Sequence, residues 1–304
     1  MQMTKRMIIT RPINFHKLMR LMEPYFFVGP GVLILVLLML VPIGKVIYDS
    51  LHAGSLFSPS SNYIGLENYH DVTGRRVFND VIYNSVLFTV ASLVAHFVIG
   101  MALALALNRR ISSVVLSFFR SIFILPWIFT AAVVALDWKL LLTPMGVVNY
   151  ILESATSSTV RIDWLGDPKY AMVALIVINA WRGYPFVMVS ILAGLQGVDE
   201  ELYEAASIDG ADSAHRFLHV TVPQLRPILL SVGLLDVIWT FNLFPLIWLT
   251  TGGGPNGATE TIAIFTYKIA FNEFEFGQAS AMAVIAVGAT LVITLFYLRY
   301  QKRY

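Results

Sequence analysis

Arginine and aspartate are among the costliest residues to place in lipid, and this sequence sets Arg182 and Asp236 inside long apolar stretches. An ionisable group in such surroundings has to pair, face water or meet a ligand, so each is a candidate for function. At 1.5 Å of rise per residue the two fall at similar depth along their stretches. They could therefore pair with each other, either to fix the packing of two helices or to serve a solute. Such stretches also hold Trp127, Asn179, Trp181, Tyr184, Trp239 and Asn242. Aromatic faces and planar amides together suit hydroxylated rings, whose faces are apolar and whose rims carry hydroxyls. Trp and Tyr also mark membrane interfaces, and that plainer role is open for each of them, Trp127 included.

Other chemistries are missing their parts. Cysteine is absent, so disulfides, thiolate metal sites and cysteine nucleophiles are excluded. The sequence has no G-x-x-x-x-G-K-[ST] loop to cradle phosphates, and no H-E-x-x-H or G-x-S-x-G motif. No catalytic residue, resident cofactor or metal site is expected, and the chain reads as something other than an enzyme. A net charge of +2 gives no electrostatic footprint, and no nucleic-acid partner is expected.

The elements that must position these residues are set by composition. Of 304 residues 57% are hydrophobic and 13% charged, with a mean hydropathy of +0.70; a soluble domain carries about 25% charged residues. The apolar residues come in six stretches, each near the roughly 20 residues needed to cross a bilayer. They run from about Tyr25 to Ile47, Val81 to Leu107, Ser121 to Leu142, Tyr170 to Leu192, Pro227 to Leu249 and Ala279 to Leu298. The third is the least clean, with Asp137 and Lys139 near its far end. The expected fold class is all-α integral membrane with six transmembrane helices.

Lys5, Arg6, Arg11, Lys17 and Arg20 precede the first stretch. That stretch is too long for the core of a secretory signal and has no clean cleavage site, so an uncleaved first helix with a cytoplasmic N-terminus is expected. Both termini are then cytoplasmic. Thirteen of the 21 Lys and Arg residues fall in cytoplasmic segments and seven in external ones, the sign that orientation requires. The organisation expected is a cytoplasmic segment over 1–24, a first helix and external loop over 25–80, a five-helix core over 81–299 and a tail over 300–304. External loops at Ser55–Tyr69, Thr143–Tyr170 and Thr250–Thr261 are rich in turn formers.

The most polar cytoplasmic loop is 196–227. Asp199 is a good N-cap, and Glu200 and Glu201 fall in the first turn, where the helix dipole favours anions. Gly210 suits a left-handed residue ending that helix, and Asp212 can cap a second one. Pro223 and Pro227 are expected to break the chain before it re-enters the membrane. The spacing predicts two short helices and a turn lying against the ends of the bundle, a description that an ordinary amphipathic connector would also meet.

A resemblance goes further. Glu204-Ala205-Ala206-x-x-Asp209-Gly210-Ala211, then Phe217, then Val222-Pro223 and Pro227, is similar to the EAA loop of ABC importer permeases, with Val222 where the family has Leu. Ala193-Gly194-Leu195-Gln196, Thr251-Gly252-Gly253-Gly254-Pro255 and Phe276-Gly277-Gln278-Ala279-Ser280-Ala281 resemble the carbohydrate-uptake branch, which holds the maltose and glycerol-3-phosphate permeases. Ile64-Gly65-Leu66-Glu67-Asn68-Tyr69 is similar to that family's first external loop, although the large external insertion of the maltose permease is missing.

The resemblance implies a type I importer permease in a bacterial inner membrane. Its partners would be a sister permease, an ATPase dimer that binds ATP and Mg, and an external solute-binding protein. The solute would be a sugar or sugar derivative: an oligosaccharide, a glycoside, glycerol phosphate or a sulfosugar conjugate. Glu204, Ala205, Ala206, Asp209, Gly210, Ala211, Phe217 and Pro223 would form the surface gripped by the ATPase. Carried over by motif position, the sugar cavity maps to Trp127 and Ala131 on the third stretch and to Asn179, Gly183 and Phe186 on the fourth. On the fifth it maps to Asp236, Trp239, Thr240 and Leu243, with Ala131 and Leu243 departing from the family's hydroxyl or amide groups. A secondary transporter or channel working without an ATPase is the alternative; the inverted repeats usual in such proteins are not visible in the sequence.

Overall fold

A segment surrounded by lipid must satisfy its own N–H and C=O groups, so the apolar stretches should be helices. In the computed structural model of the chain they are. Residues 15–55, 62–109, 112–156 and 161–301 are described, and they form fourteen α-helices with one isolated β-bridge, His52–Tyr63. Lys5, Arg6 and Arg11 lie outside the described residues, as do 56–61 of the first external loop, 110–111, 157–160 and the tail residues 302–304.

Helix α1 (Phe15–Leu35) passes through a π-turn, Val36–Leu40, into α2 (Val41–Ser50). The most apolar part of this rod has no residue buried against the rest of the chain. Short α3 (Glu67–Gly74) is followed by α4 (Phe78–Leu107). Ser85, Thr89, Ser92, His96, Gly100 and Ala104 recur every three or four residues along α4, and all are buried. The His96 and Gly100 part of this stripe lies against the helix over 168–195 and lets the two backbones approach closely. A Cβ at Gly100 would stand 3.0 Å from the Val187 side chain and the Met188 nitrogen.

The third apolar stretch is not one straight span. It consists of α5 (Ser113–Ile128) and α6 (Ala131–Leu141), which meet at 94°. Pro126 removes one hydrogen bond near the end of α5, Phe129 is extended, and the Thr130 hydroxyl accepts from the Val133 N–H at 3.4 Å to start α6. Asp137 and Lys139 therefore leave the axis of α5, and the Lys139 ammonium donates to the Leu249 carbonyl at 3.4 Å. Helix α7 (Val147–Thr156) precedes α8 (Pro168–Leu195), the most buried of the long helices. Asp167 caps α8 through the Lys169 N–H, and Pro168 occupies the first turn, where no N–H is needed.

After α9 (Glu200–Ile208) and α10 (Ser213–Arg216) comes a second π-turn, Phe217–Thr221, and then α11 (Val222–Phe241). The expected break at Pro223 and Pro227 does not occur. In both π-turns the N–H of a valine that precedes a proline reaches five residues back, Val41 to Val36 and Val222 to Phe217. A widened turn relieves the clash between a proline ring and the carbonyl below it, so the helix continues through Pro223 and carries Pro227 inside α11. The fifth apolar stretch breaks later, at Asn242–Phe244. Pro245 there begins α12 (Pro245–Thr250), followed by α13 (Ile262–Phe271) and α14 (Phe276–Gln301). Among the described residues, five helical runs are long and apolar enough to cross a membrane, six if α5 and α6 make one span.

Motifs far apart in sequence meet at one end of the bundle. The Asn68 amide donates to the Ser50 and His52 carbonyls at 2.9 and 3.0 Å, and Tyr69 shares a 2.8 Å hydrogen bond with Ser50. Gly277 donates its N–H to the Gly54 carbonyl at 2.9 Å, and a Cβ there would crowd Asn68 at 2.8 Å. Arg75 reaches Glu273 at 2.7 Å and Gln278 at 2.6 Å. The Thr250–Thr261 loop does not project freely: the Asn84 amide donates to the Gly257 carbonyl at 3.0 Å, Ser85 accepts from the Ile262 N–H at 2.8 Å, and Glu260 pairs with Lys268 at 2.9 Å.

Candidate functional site

Four helices, α4, α5, α8 and α11, supply groups around one cavity. His96 of α4 is 1% exposed and Asp236 of α11 is 5% exposed, and their Nδ1 and Oδ2 atoms are 2.8 Å apart. The other ring nitrogen of His96, Nε2, lies 2.9 Å from the Asn179 carbonyl of α8. A carbonyl only accepts, so Nε2 must carry a hydrogen, and the contact to Asp236 needs one more proton between the two groups. Whichever atom holds that proton, the His96–Asp236 unit is neutral overall. The Thr240 hydroxyl leans toward the same carboxylate at 3.5 Å.

This arrangement replaces the Arg182–Asp236 pair considered from sequence: no such pair forms among the described residues, because His96 occupies the carboxylate. The His96 ring fits there because α8 has no side chain at Gly183; a Cβ at that position would overlap the ring. Sequence reasoning passed over His96. The signal was present, a lone ionisable residue within the second apolar stretch.

The cavity bounded by this unit is also lined by Asn179, Arg182 and Gly183 from α8 and by Thr240 and Leu243. Its wall is aromatic. Trp127 and Phe186 have ring centroids 5.9 Å apart, and Phe186 and Trp239 are 5.0 Å apart. Eight of the nine residues mapped by motif position thus face one space. Ala131 does not, since it packs in an apolar cluster with Val134, Ile178 and Leu246. Of the other sugar-type candidates, Trp181 stacks edge-on with Trp138 beside a different cavity, and Tyr184 is buried among Val187 and Ile191. Asn242 turns back to the Ile238 carbonyl at 2.8 Å.

The motif loop lies elsewhere on the chain. Asp199 holds the N-cap position of α9 without a side-chain cap bond, and Gly210 is left-handed at φ +80°. The Asp212 carboxylate accepts from the His215 N–H at 2.8 Å and from the His215 ring, and these bonds hold it below the usual carboxylate range. Arg216 bonds Ser207 at 3.1 Å, and Tyr203 bonds Thr221 at 2.9 Å, tying α9 to the helix that follows. Glu204, Ala205, Asp209, Gly210 and Pro223 are exposed; Ala206, Ala211 and Phe217 are half-buried. Instead of lying flat on the bundle, α9 leaves Ile208 87% and Leu218 of the adjoining turn 59% exposed.

Comparison with known proteins spans both regions. The family described as binding-protein-dependent transport system inner membrane component matches residues 96–304. The probable ABC transporter permease protein YurN of Bacillus subtilis is 32% identical over 280 residues, which cover 92% of this chain and 96% of that protein. The trehalose/maltose transport system permease protein MalF of Thermococcus litoralis is 32% identical over 276 residues, 90% of this chain and 92% of that protein. The structure of a bacterial alginate ABC transporter, in complex with an alginate pentasaccharide-bound periplasmic protein, contains a chain of the same fold. It superimposes with a TM-score of 0.82 at 21% identity, covering 95% of this chain and 97% of that one.

Proposed function

The chain belongs to the family of binding-protein-dependent transport system inner membrane components, and from that premise we propose that it is one of two permease subunits of an ABC importer for a sugar or sugar derivative. It pairs with a sister permease, receives solute from an external binding protein and holds the passing solute in the cavity walled by Trp127, Phe186 and Trp239. An ATPase dimer, which supplies the ATP and Mg chemistry, grips 196–227 from the cytoplasm of a bacterial cell.

One observation carries this reading. The loop that resembles the EAA motif is folded by its own caps and hydrogen bonds, yet it presents Ile208, Leu218, Ala205 and Glu204 outward, where no part of the described chain covers them. An exposed apolar edge beside small residues suits close packing into a cleft on another protein. A Glu204 carboxylate drawn into that cleft would need a cationic partner.

The test is coupling. With the whole transporter in proteoliposomes, Glu204→Lys and Gly210→Pro are expected to leave the chain in the membrane and abolish ATP-driven uptake. Wild-type uptake in both variants, or uptake that ignores ATP depletion and follows an ion gradient, removes the importer reading in favour of a transporter working alone.

A further inference from the structure

Because His96 neutralises Asp236, the charge of the cavity is set by one residue. Among the described residues its ionisable lining groups are His96, Asp236 and Arg182. The first two form a closed neutral unit, whereas the guanidinium stays protonated in proteins. Arg182 therefore gives the cavity a net positive charge, and no salt bridge among the described residues offsets it.

Two donors there also lack acceptors. The Arg182 Nε atom is buried and has no hydrogen-bond partner. The Asn179 side-chain amide nitrogen is likewise buried and unpartnered, in a residue 2% exposed whose backbone carbonyl accepts from His96. Buried donors are normally bonded, so two of them in one cavity, one cationic, describe half of a recognition site. What they lack is an acceptor-rich, negatively charged group. The planar guanidinium is suited to bidentate contact with carboxylate, sulfonate or phosphate oxygens. The aromatic wall of Phe186 and Trp239 stands in the same cavity for an apolar ring face.

Resting on the importer reading, we infer that the solute is a sugar carrying an anionic group, and that Arg182, helped by the Asn179 amide, is the specificity-determining residue that receives it. A neutral sugar would leave this half-buried cation without a counter-charge.

The experiment uses the purified transporter with its sister permease, ATPase and binding protein. Binding of methyl glucoside is compared with that of methyl glucuronide, a 6-sulfonated methyl glucoside and glucose 6-phosphate, read by tryptophan fluorescence. At least one anionic probe is expected to bind about 10- to 100-fold more tightly than methyl glucoside, the range of a charge-assisted hydrogen bond. Arg182→Gln should erase that preference and Arg182→Lys should keep most of it; the probe that wins says which anion is carried. If no anionic probe exceeds methyl glucoside, or if Arg182→Gln keeps the preference, the inference is overturned. It is also overturned if Arg182→Gln loses the sister permease and Arg182→Lys regains it, since Arg182 would then pair with that subunit. A complex that hydrolyses ATP and imports without charge preference sinks this inference alone; a chain that never associates with an ATPase sinks the importer reading.

Discussion

Gly183 is defined by what stands opposite it. The His96 ring fills the space that any side chain would need, and that ring ties α4 to α8 and α11 through the Asn179 carbonyl and Asp236. Gly183→Ala is expected to push the ring out of this notch and destabilise the bundle by about 1–3 kcal/mol, the usual cost of overpacking; thermal unfolding in detergent measures it. Breaking the buried pair from one side should cost more, about 3–5 kcal/mol, because the remaining group is left uncompensated. His96→Ala and Asp236→Asn should therefore each lower stability, and the double variant should lose less than the sum of the two. Equal and additive losses would show that the two residues act independently. At this scale the sequence was partly legible. Asp236, Asn179 and the aromatic wall stand out by type, but the partner of Asp236 depends on which helix faces it, and one chain of letters does not give that.

At the scale of elements, apolar length identified the stretches and misjudged their shape. Hydropathy treats Ser121–Leu142 as one run, but the direction of the run is decided by Pro126, by extended Phe129 and by the Thr130 cap. Thr130→Ala should weaken the start of α6 by about 0.5–2 kcal/mol, seen as faster hydrogen exchange over 131–134 with α5 unchanged. Prolines misled in the opposite sense at Pro223, where a π-turn lets the helix continue. The caps of the motif loop were legible because they are local: Gly210 is left-handed and Asp212 accepts from His215, as their types suggest. The lowered pKa of Asp212 fixes the sign of its pH response. Its contribution to the start of α10 is present above the ordinary carboxylate range and is lost as pH falls through the lowered value. Exchange of the His215 amide, corrected for intrinsic rate, should stay slow at neutral and mildly acidic pH, and Asp212→Ala should make it fast throughout.

For the whole molecule, the first rod has little internal support, since no residue in the most apolar part of Tyr25–Ser50 is fully buried against its own chain. An apolar surface of this length needs lipid or another protein to cover it. Cysteine, absent from the natural sequence, gives a clean background for labelling. Single cysteines introduced at Lys45 and Ser207 should react with membrane-impermeant maleimide from opposite sides of intact spheroplast and inverted-vesicle membranes. Labelling from one side would refute the expected orientation. A mechanical consequence follows from the uninterrupted helix that starts at Ser213 and ends at Phe241. It carries exposed Leu218 near one end and Asp236, Trp239 and Thr240 near the other, about 33 Å from Ala214 to Asp236 at 1.5 Å per residue. Where the run moves as one body through its π-turn and Pro227, a tilt of about 5° at Ala214 displaces the far end by about 3 Å. If 196–227 is the coupling loop proposed above, a stroke confined to the foot would still shift the side chains that line the cavity.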